Sequence, residues 1–281
     1  MGAHWEMTPH LSSDQRLDVL TLLDRREVEL GRESLDESRR RTVVHGWPGE
    51  HWLRLDNGQL TDYALASRSD VVNIEKAGGT VDHTLLDSVW GESRVVEWWT
   101  RDDHGTRCGG EIVRTLHLMK VNLPVPVVPV PDGISIRTFD PERDAEAWLE
   151  QNNLAFADHP EQGAWRRADL EIRVREPWFD PSGFLLFEEA GNIVASCWTK
   201  VHELSPDRFG EIYVISVHPS HQGRGLGRVA VTQGLHVLRQ KGVTRGALFV
   251  DASNTNAVSL YERLGFVATR RDHLVRFTRE A

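Results

Sequence analysis

Apolar positions in the last third of the chain come in short β-branched runs separated by polar, glycine-rich turns. EIYVISVHP at 211–219 and ALFV at 247–250 each predict a strand, and the turn HQGRGLG at 221–227 predicts a loop that opens a helix. A second helix is predicted from Asn254 through Leu260, Tyr261 and Leu264. Two hairpins lie upstream, one at 51–67 (HWLRLDNGQLTDYALAS) around Asp56-Asn57-Gly58 and one at 183–200 (GFLLFEEAGNIVASCWTK) around Gly191-Asn192. A helical stretch precedes each hairpin, at 17–29 and 142–153, and another β run follows it. The same order of elements thus recurs at an offset of about 130 residues, which predicts two copies of one mixed α/β unit.

Between the copies, 122–133 reads NLPVPVVPVPDG, with prolines at 124, 126, 129 and 131. Proline at that density holds the backbone extended and removes ladder donors, so a semi-rigid linker is predicted. The expected domains are 1–121, the linker 122–133, and 134–281. A chain of 281 residues suits two cores, and 40% apolar with 27% charged residues describes an ordinary globular protein. A net charge of −9 argues against a polyanionic partner, so no nucleic acid is expected. The two cysteines, Cys108 and Cys197, imply no disulfide framework and read as buried small hydrophobes in a reducing cytoplasm. No window approaches the ~18 apolar residues of a membrane span, and the first residues carry no apolar leader core, so neither export nor membrane insertion is expected. Ten scattered tryptophans read as core or domain-interface residues.

The candidate chemistry centres on Gln222-x-x-Gly225-x-Gly227. Gly223, Gly225 and Gly227 remove side chains where an anion must approach the main chain, and the amides of the turn then meet it at the positive end of a helix. Arg224 and Arg228 add positive charge there. The loop lacks the GK[ST] ending of a triphosphate loop, and its G-x-G-x-G spacing is not the dinucleotide G-x-G-x-x-G. By itself it also fits a flexible surface turn. In the first copy the matching segment, DVVNIEKAGGTVDHTLL, keeps only Gly78 and Gly79 and carries Glu75, a carboxylate expected to repel a diphosphate.

The ordered set from the loop through the strand at 247–250, Asn254, Asn256, Leu260, Tyr261, Leu264, Gly265 and Phe266 resembles the acetyl-coenzyme A core of the GCN5-related N-acetyltransferases (GNATs). The words FADHPEQGAW, EPWFDPSGFLLF, WTK, GEIYVISVHPSHQGRGLG and FVDASNTNAVSLYERLGF resemble the mycothiol synthase (mycothiol acetyltransferase) family. The match is nearly complete over the second half and looser over the first, where it rests on GRESLDESRR and the hairpin after it. This resemblance implies an α/β fold of two tandem GNAT-like domains with mixed sheets, the first with a degenerate coenzyme A loop. It also implies acetyl transfer from acetyl-CoA, as co-substrate, to the cysteinyl amine of a cysteine–glucosamine–inositol conjugate. A monomer without metal is expected.

The resemblance assigns Glu211 as general base. The amine client has an ordinary pKa near ~8, so the carboxylate has only to remove the residual proton. Tyr261 is the expected acid for the departing thiolate. Ile215, Ser216 and Val217 on the strand, Gln222, Gly223, Arg224, Gly225, Leu226, Gly227 and Arg228 in the loop, and Asn254 and Asn256 are the expected acetyl-CoA contacts, with the Val217 amide as oxyanion donor. Glu33, Glu161, Lys200, Glu211 and Phe249 are expected at the acceptor, Phe249 standing where the family can carry a tyrosine. His218, His221 and His236 show no metal-ligand spacing, and His159 reads as a packing residue. Two other readings stay open: the same chemistry on a peptide N-terminus or an aminoglycoside, and a non-catalytic acetyl-CoA-binding protein.

Overall fold

The computed structural model describes residues 2–30, 33–69, 71–78, 80–101, 109–157, 163–203 and 208–279. Gly79, Cys108, His159 and Glu161 lie outside the described residues.

Two compact units form, one from Met1–Leu118, Asp251–Asn254 and Thr269–Ala281, the other from Met119–Val250 and Thr255–Ala268. Elements of the first half of the chain are β1 (His4–Thr8), α1 (Ser13–Leu30), α2 (Glu37–His45), β2 (Glu50–Asp56), β3 (Gln59–Arg68), β4 (Val72–Lys76), α3 (His83–Val89), β5 (Val95–Arg101) and β6 (Glu111–Asn122). Those of the second half are β7 (Ile134–Thr138), α4 (Pro141–Ala155), α5 (Arg167–Val174), β8 (Phe184–Glu189), β9 (Asn192–His202), β10 (Phe209–Val217), α6 (Leu226–Gln240), β11 (Arg245–Asp251), α7 (Thr255–Arg263) and β12 (Val267–Thr278).

The repeat is present strand for strand. β1 to β4 pair antiparallel in sequence and β4 pairs β5 in parallel; β7 to β10 and the β10–β11 pair do the same. The fold is a mixed α/β architecture built twice. The first hairpin turns at Asn57 (φ 49°) and Gly58 (φ 80°), the two positive φ values of a type I′ turn. The second turns at Ala190 (φ 50°) and Gly191 (φ 82°), one residue earlier than the expected Gly191-Asn192, because glycine takes the second central position and Asn192 already pairs with Glu189.

The proline-rich segment is not a free spacer. Val125, Val128 and Val130 pack against the core of the second unit, where the Leu123 N–H donates to the Thr244 carbonyl (2.9 Å) and the Val128 N–H to Thr232 Oγ1 (3.1 Å). Nor does 122–133 separate the units. Strand β12, from the end of the chain, pairs antiparallel with β5 from Asp272↔Arg101 to Thr278↔Val95 and belongs to the first unit. Its Val275 and Phe277 join Val96, Trp98, Leu85 and Val89 in that unit's core. In the second unit, α6 buries Val229, Ala230, Leu235 and Leu238 on one side of the sheet, while Trp148, Phe184 and Trp198 form an aromatic cluster on the side covered by α4. Among the described residues no helix is long and apolar enough to cross a membrane.

A Phe277→Ala variant tests the place of β12. Emptying this site costs about 3 to 5 kcal/mol, and amide exchange should accelerate in β5 while β8 and β9 keep their protection. Uniform acceleration would show that β12 does not serve the first unit in particular.

Candidate active site

The site begins where β10 leaves β11. The two strands pair only at Gly210↔Gly246 and Glu211↔Ala247, although β10 runs on to Val217 and β11 to Asp251. On its other edge β10 stays on β9 from Phe209↔His202 to Val217↔Ala195, with a bulge at Tyr213. The His218 N–H donates to the Val194 carbonyl (2.8 Å). In an antiparallel ladder this fixes the alternation, so the amides of Ser216 and His218 face β9 and those of Ile215 and Val217 face the open side. Gln222 reaches the same edge, its Nε2 donating to the Val217 carbonyl (3.4 Å). Ser216 offers only main chain, because its hydroxyl is buried in a chain with Ser196 (2.8 Å) and Gln151 (2.9 Å).

The glycine loop sits at the end of β10 and caps α6. Gly223 (φ 76°) and Gly225 (φ 81°) take left-handed backbone, and a Cβ on either would meet nothing within 4 Å. The space over these glycines is open, as an approaching ligand requires. Among the described residues, no acceptor lies on the amides of Gly223, Arg224, Gly225, Leu226 or Gly227, whereas those of Arg228 and Val229 turn back to the Gly225 carbonyl. Leu226 is buried under the loop and Arg228 is exposed. Arg224 is not a bare positive charge: it binds Glu189 through both terminal nitrogens (2.6 and 3.0 Å), and His221 Nε2 joins from the other side (2.9 Å). Arg224 and then His221 hold the Glu189 carboxyl down at about 2.

Glu211 is buried on the face of β10 that carries the aromatic cluster, opposite Lys200 on β9. The Lys200 ammonium lies 4.7 Å from the Trp178 ring centre and 5.7 Å from that of Tyr213. The Tyr213 hydroxyl takes a hydrogen bond from Arg173 Nε (3.1 Å). Glu211 Oε2 is 2.6 Å from His202 Nε2. Nothing in the sequence marks His202, nine residues from Glu211; only the β9–β10 register makes the two neighbours.

Tyr261 sits on α7 in the opposite core, its ring 5.8 Å from Phe266. Burial, and then the neighbouring Cys197, push its phenol well above the usual range, so it holds its proton at neutral pH. Cys197 is a buried free thiol, raised to about 12 by that burial. Asn254 closes a turn onto the Asp251 carbonyl (3.0 Å), and Asn256 is exposed in the first turn of α7. Phe249 is exposed on β11. Glu33 belongs to the first unit, where its carbonyl accepts from Arg101 (2.6 Å). Glu161 lies outside the described residues. Among the described residues no three His, Cys, Asp or Glu side chains converge as metal ligands.

Glu75 does not stand beside a loop as expected. It is buried in the first unit, ion-paired with Arg101 on β5, 3.6 Å from Arg39, and accepts the Asp36 N–H (2.9 Å). Aligning the hairpins puts Asn73 at the position of Glu211, since Ser67↔Asn73 matches Lys200↔Glu211. There β4 has no bulge, and its pairing with β5 continues through Ile74↔Trp98 and Glu75↔Trp99, past the point where β10 and β11 part. The gap is closed in the first unit.

A sheet whose fourth and fifth strands part beside a glycine-capped helix defines an acyl-CoA-type N-acetyltransferase fold. Residues 146–266 match the model of the acetyltransferase (GNAT) family. The fold is shared with the GCN5-related N-acetyltransferase from Sphaerobacter thermophilus, at 22% identity and TM-score 0.70 over 98% of this chain and 95% of that one. It is shared also with a tandem GNAT protein from the clavulanic acid biosynthesis pathway, at 13% identity and TM-score 0.68 over 98% of each chain. A mycothiol acetyltransferase of Thermobispora bispora is 38% identical over 92% of this chain and 94% of its own length. That of Streptomyces griseus subsp. griseus is 37% identical over 95% and 93%. One from Thermomonospora curvata reaches 57%, over 51% of this chain and 47% of that protein. The chain belongs to the mycothiol acetyltransferase family.

A Gly225→Val variant tests the loop. The left-handed backbone makes this change cost about 1 to 2 kcal/mol, and an added Cβ meets nothing within 4 Å. The variant should fold, yet its affinity for acetyl-CoA by calorimetry should fall at least about tenfold, equivalent to ~1.4 kcal/mol; unchanged affinity would remove the loop from the donor site.

Proposed function

We propose that this enzyme catalyses the last step of mycothiol biosynthesis, acetylating the cysteinyl amine of cysteinyl-glucosaminyl-inositol. The observation that carries the reading is the parting of β10 from β11 directly after Glu211, which leaves inward-facing amides, a buried carboxylate and a glycine-capped helix in one unit. Acetyl-CoA supplies the acetyl group as an activated thioester. The unbonded amides from Gly223 to Gly227 suit its diphosphate, and the open edge of Ile215 and Val217 suits its pantetheine arm. Glu211 takes the amine proton, Val217 N–H donates to the acetyl oxygen as charge gathers there, and Tyr261 returns a proton to the leaving sulfur. Asn254 and Asn256 complete the donor side. Lys200 and Phe249 are assigned to the acceptor, and Glu33 and Glu161 keep the acceptor role that the family resemblance implies.

With its closed gap and Asn73 in place of Glu211, the first unit is assigned no coenzyme A site. A buried free thiol suits a reducing compartment, and we place the enzyme in the cytoplasm as a monomer.

Thiol release from acetyl-CoA should require the cysteinyl-glucosaminyl-inositol acceptor; release with peptides or aminoglycosides in its stead would overturn the acceptor assignment, and binding without release the catalytic one. In Glu211→Gln, kcat should drop at least about 100-fold with acetyl-CoA binding retained. Calorimetry on the full chain should give one acetyl-CoA per chain, and a second site would refute the assignment of the first unit.

A further inference from the structure

The proposed chemistry leaves His202 without a task, although its Nε2 lies 2.6 Å from the carboxylate in question. His202 ends β9, and its ring stacks on Phe209, its partner in the β9–β10 register, at 4.3 Å between centres and 8° between planes. The Lys120 ammonium lies 5.6 Å from the Phe209 ring centre. With its ring pinned, Nε2 meets Glu211 Oε2 at 2.6 Å, and the two side chains are only 14% and 11% exposed. An ionised carboxylate accepts and cannot donate, so the proton in this bond sits on Nε2. Among the described residues nothing hydrogen-bonds Glu211 Oε1.

We infer that His202 is a positioning residue: it holds Oε2, fixes the rotamer of Glu211, and leaves Oε1 as the oxygen that receives the amine proton. This rests on the reading of Glu211 as the base.

The repeat supplies an internal control. In the hairpin alignment the places of His202, Phe209 and Glu211 are taken in the first unit by Ser69, Val71 and Asn73. Donor, stacking ring and carboxylate are all replaced together in the unit whose strands do not part. A second histidine–carboxylate pair among the described residues, His221 with Glu189, is different, because there the carboxylate is also held by both terminal nitrogens of Arg224. Among the described residues, Glu211 has His202 alone.

A glutamine at 202 keeps a neutral N–H donor at similar reach, and a leucine removes it. With saturating acetyl-CoA, His202→Leu should lower kcat about 10- to 100-fold, the range that a small misplacement of a catalytic group produces. The KM for acetyl-CoA should stay within about 2-fold, and His202→Gln should keep kcat within about 5-fold of the parent. A Glu211→Gln variant measured alongside separates the two claims. If Glu211→Gln turns over normally, the base reading fails and the role of His202 falls with it. If Glu211→Gln is inactive while His202→Leu turns over at the parental rate, the positioning role alone is overturned. Should the leucine variant fail to fold, the glutamine variant decides: near-parental kcat supports the role, and a loss as large as that of Glu211→Gln overturns it.

Discussion

The parting of two parallel strands after only two paired positions is the constraint on which the rest of the site depends. Main-chain N–H groups normally satisfied across a ladder are left facing a gap, and a buried amide without a partner costs about 1 to 3 kcal/mol. The sheet sustains this because β10 is held firmly on its other edge. The bulge at Tyr213 bends the strand, Arg173 anchors the Tyr213 hydroxyl, and the ladder to β9 continues to Val217. The open edge, the glycine loop at its end and the carboxylate at its start all follow from that one departure from regular pairing.

The two copies show the alternative solution. In the first unit the parallel strands stay together through Glu75↔Trp99, and Glu75, the last residue of that pairing, is ion-paired with Arg101. Burial pushes the Glu75 carboxyl upward against the pull of Arg101, so the pair persists through close geometry, the hydrogen bond from the Asp36 N–H and the nearby charge of Arg39. The same order of elements thus supports either an open gap or a closed sheet.

Much of this was legible in the letters. Alternation and turn residues gave both hairpins and hence the repeat, and the glycine spacing at 223, 225 and 227 marked the loop, because these signals are local. What escaped was non-local. The partnership of His202 with Glu211 depends on cross-strand register, and the sequestering of Arg224 by Glu189 joins residues 35 apart. Gly78 and Gly79, three and four residues on, make Glu75 look like a loop-side repeller in the sequence, while its neighbours in space are arginines from α2 and β5. The proline segment was read as a spacer from composition alone; its valines, alternating with the prolines, find a core to pack on. The ownership of β12 had no sequence signal, since a strand's partner is chosen by the edge it meets.

That ownership bears on how the protein is made. Domains emerging from the ribosome commonly fold in the order of their synthesis. Here the unit encoded first lacks a strand until residues 269–278 have been translated, after every residue of the second unit, so its sheet is completed later than the second unit's. Until β12 is made, β5 presents an unpaired edge, a template for pairing with another chain.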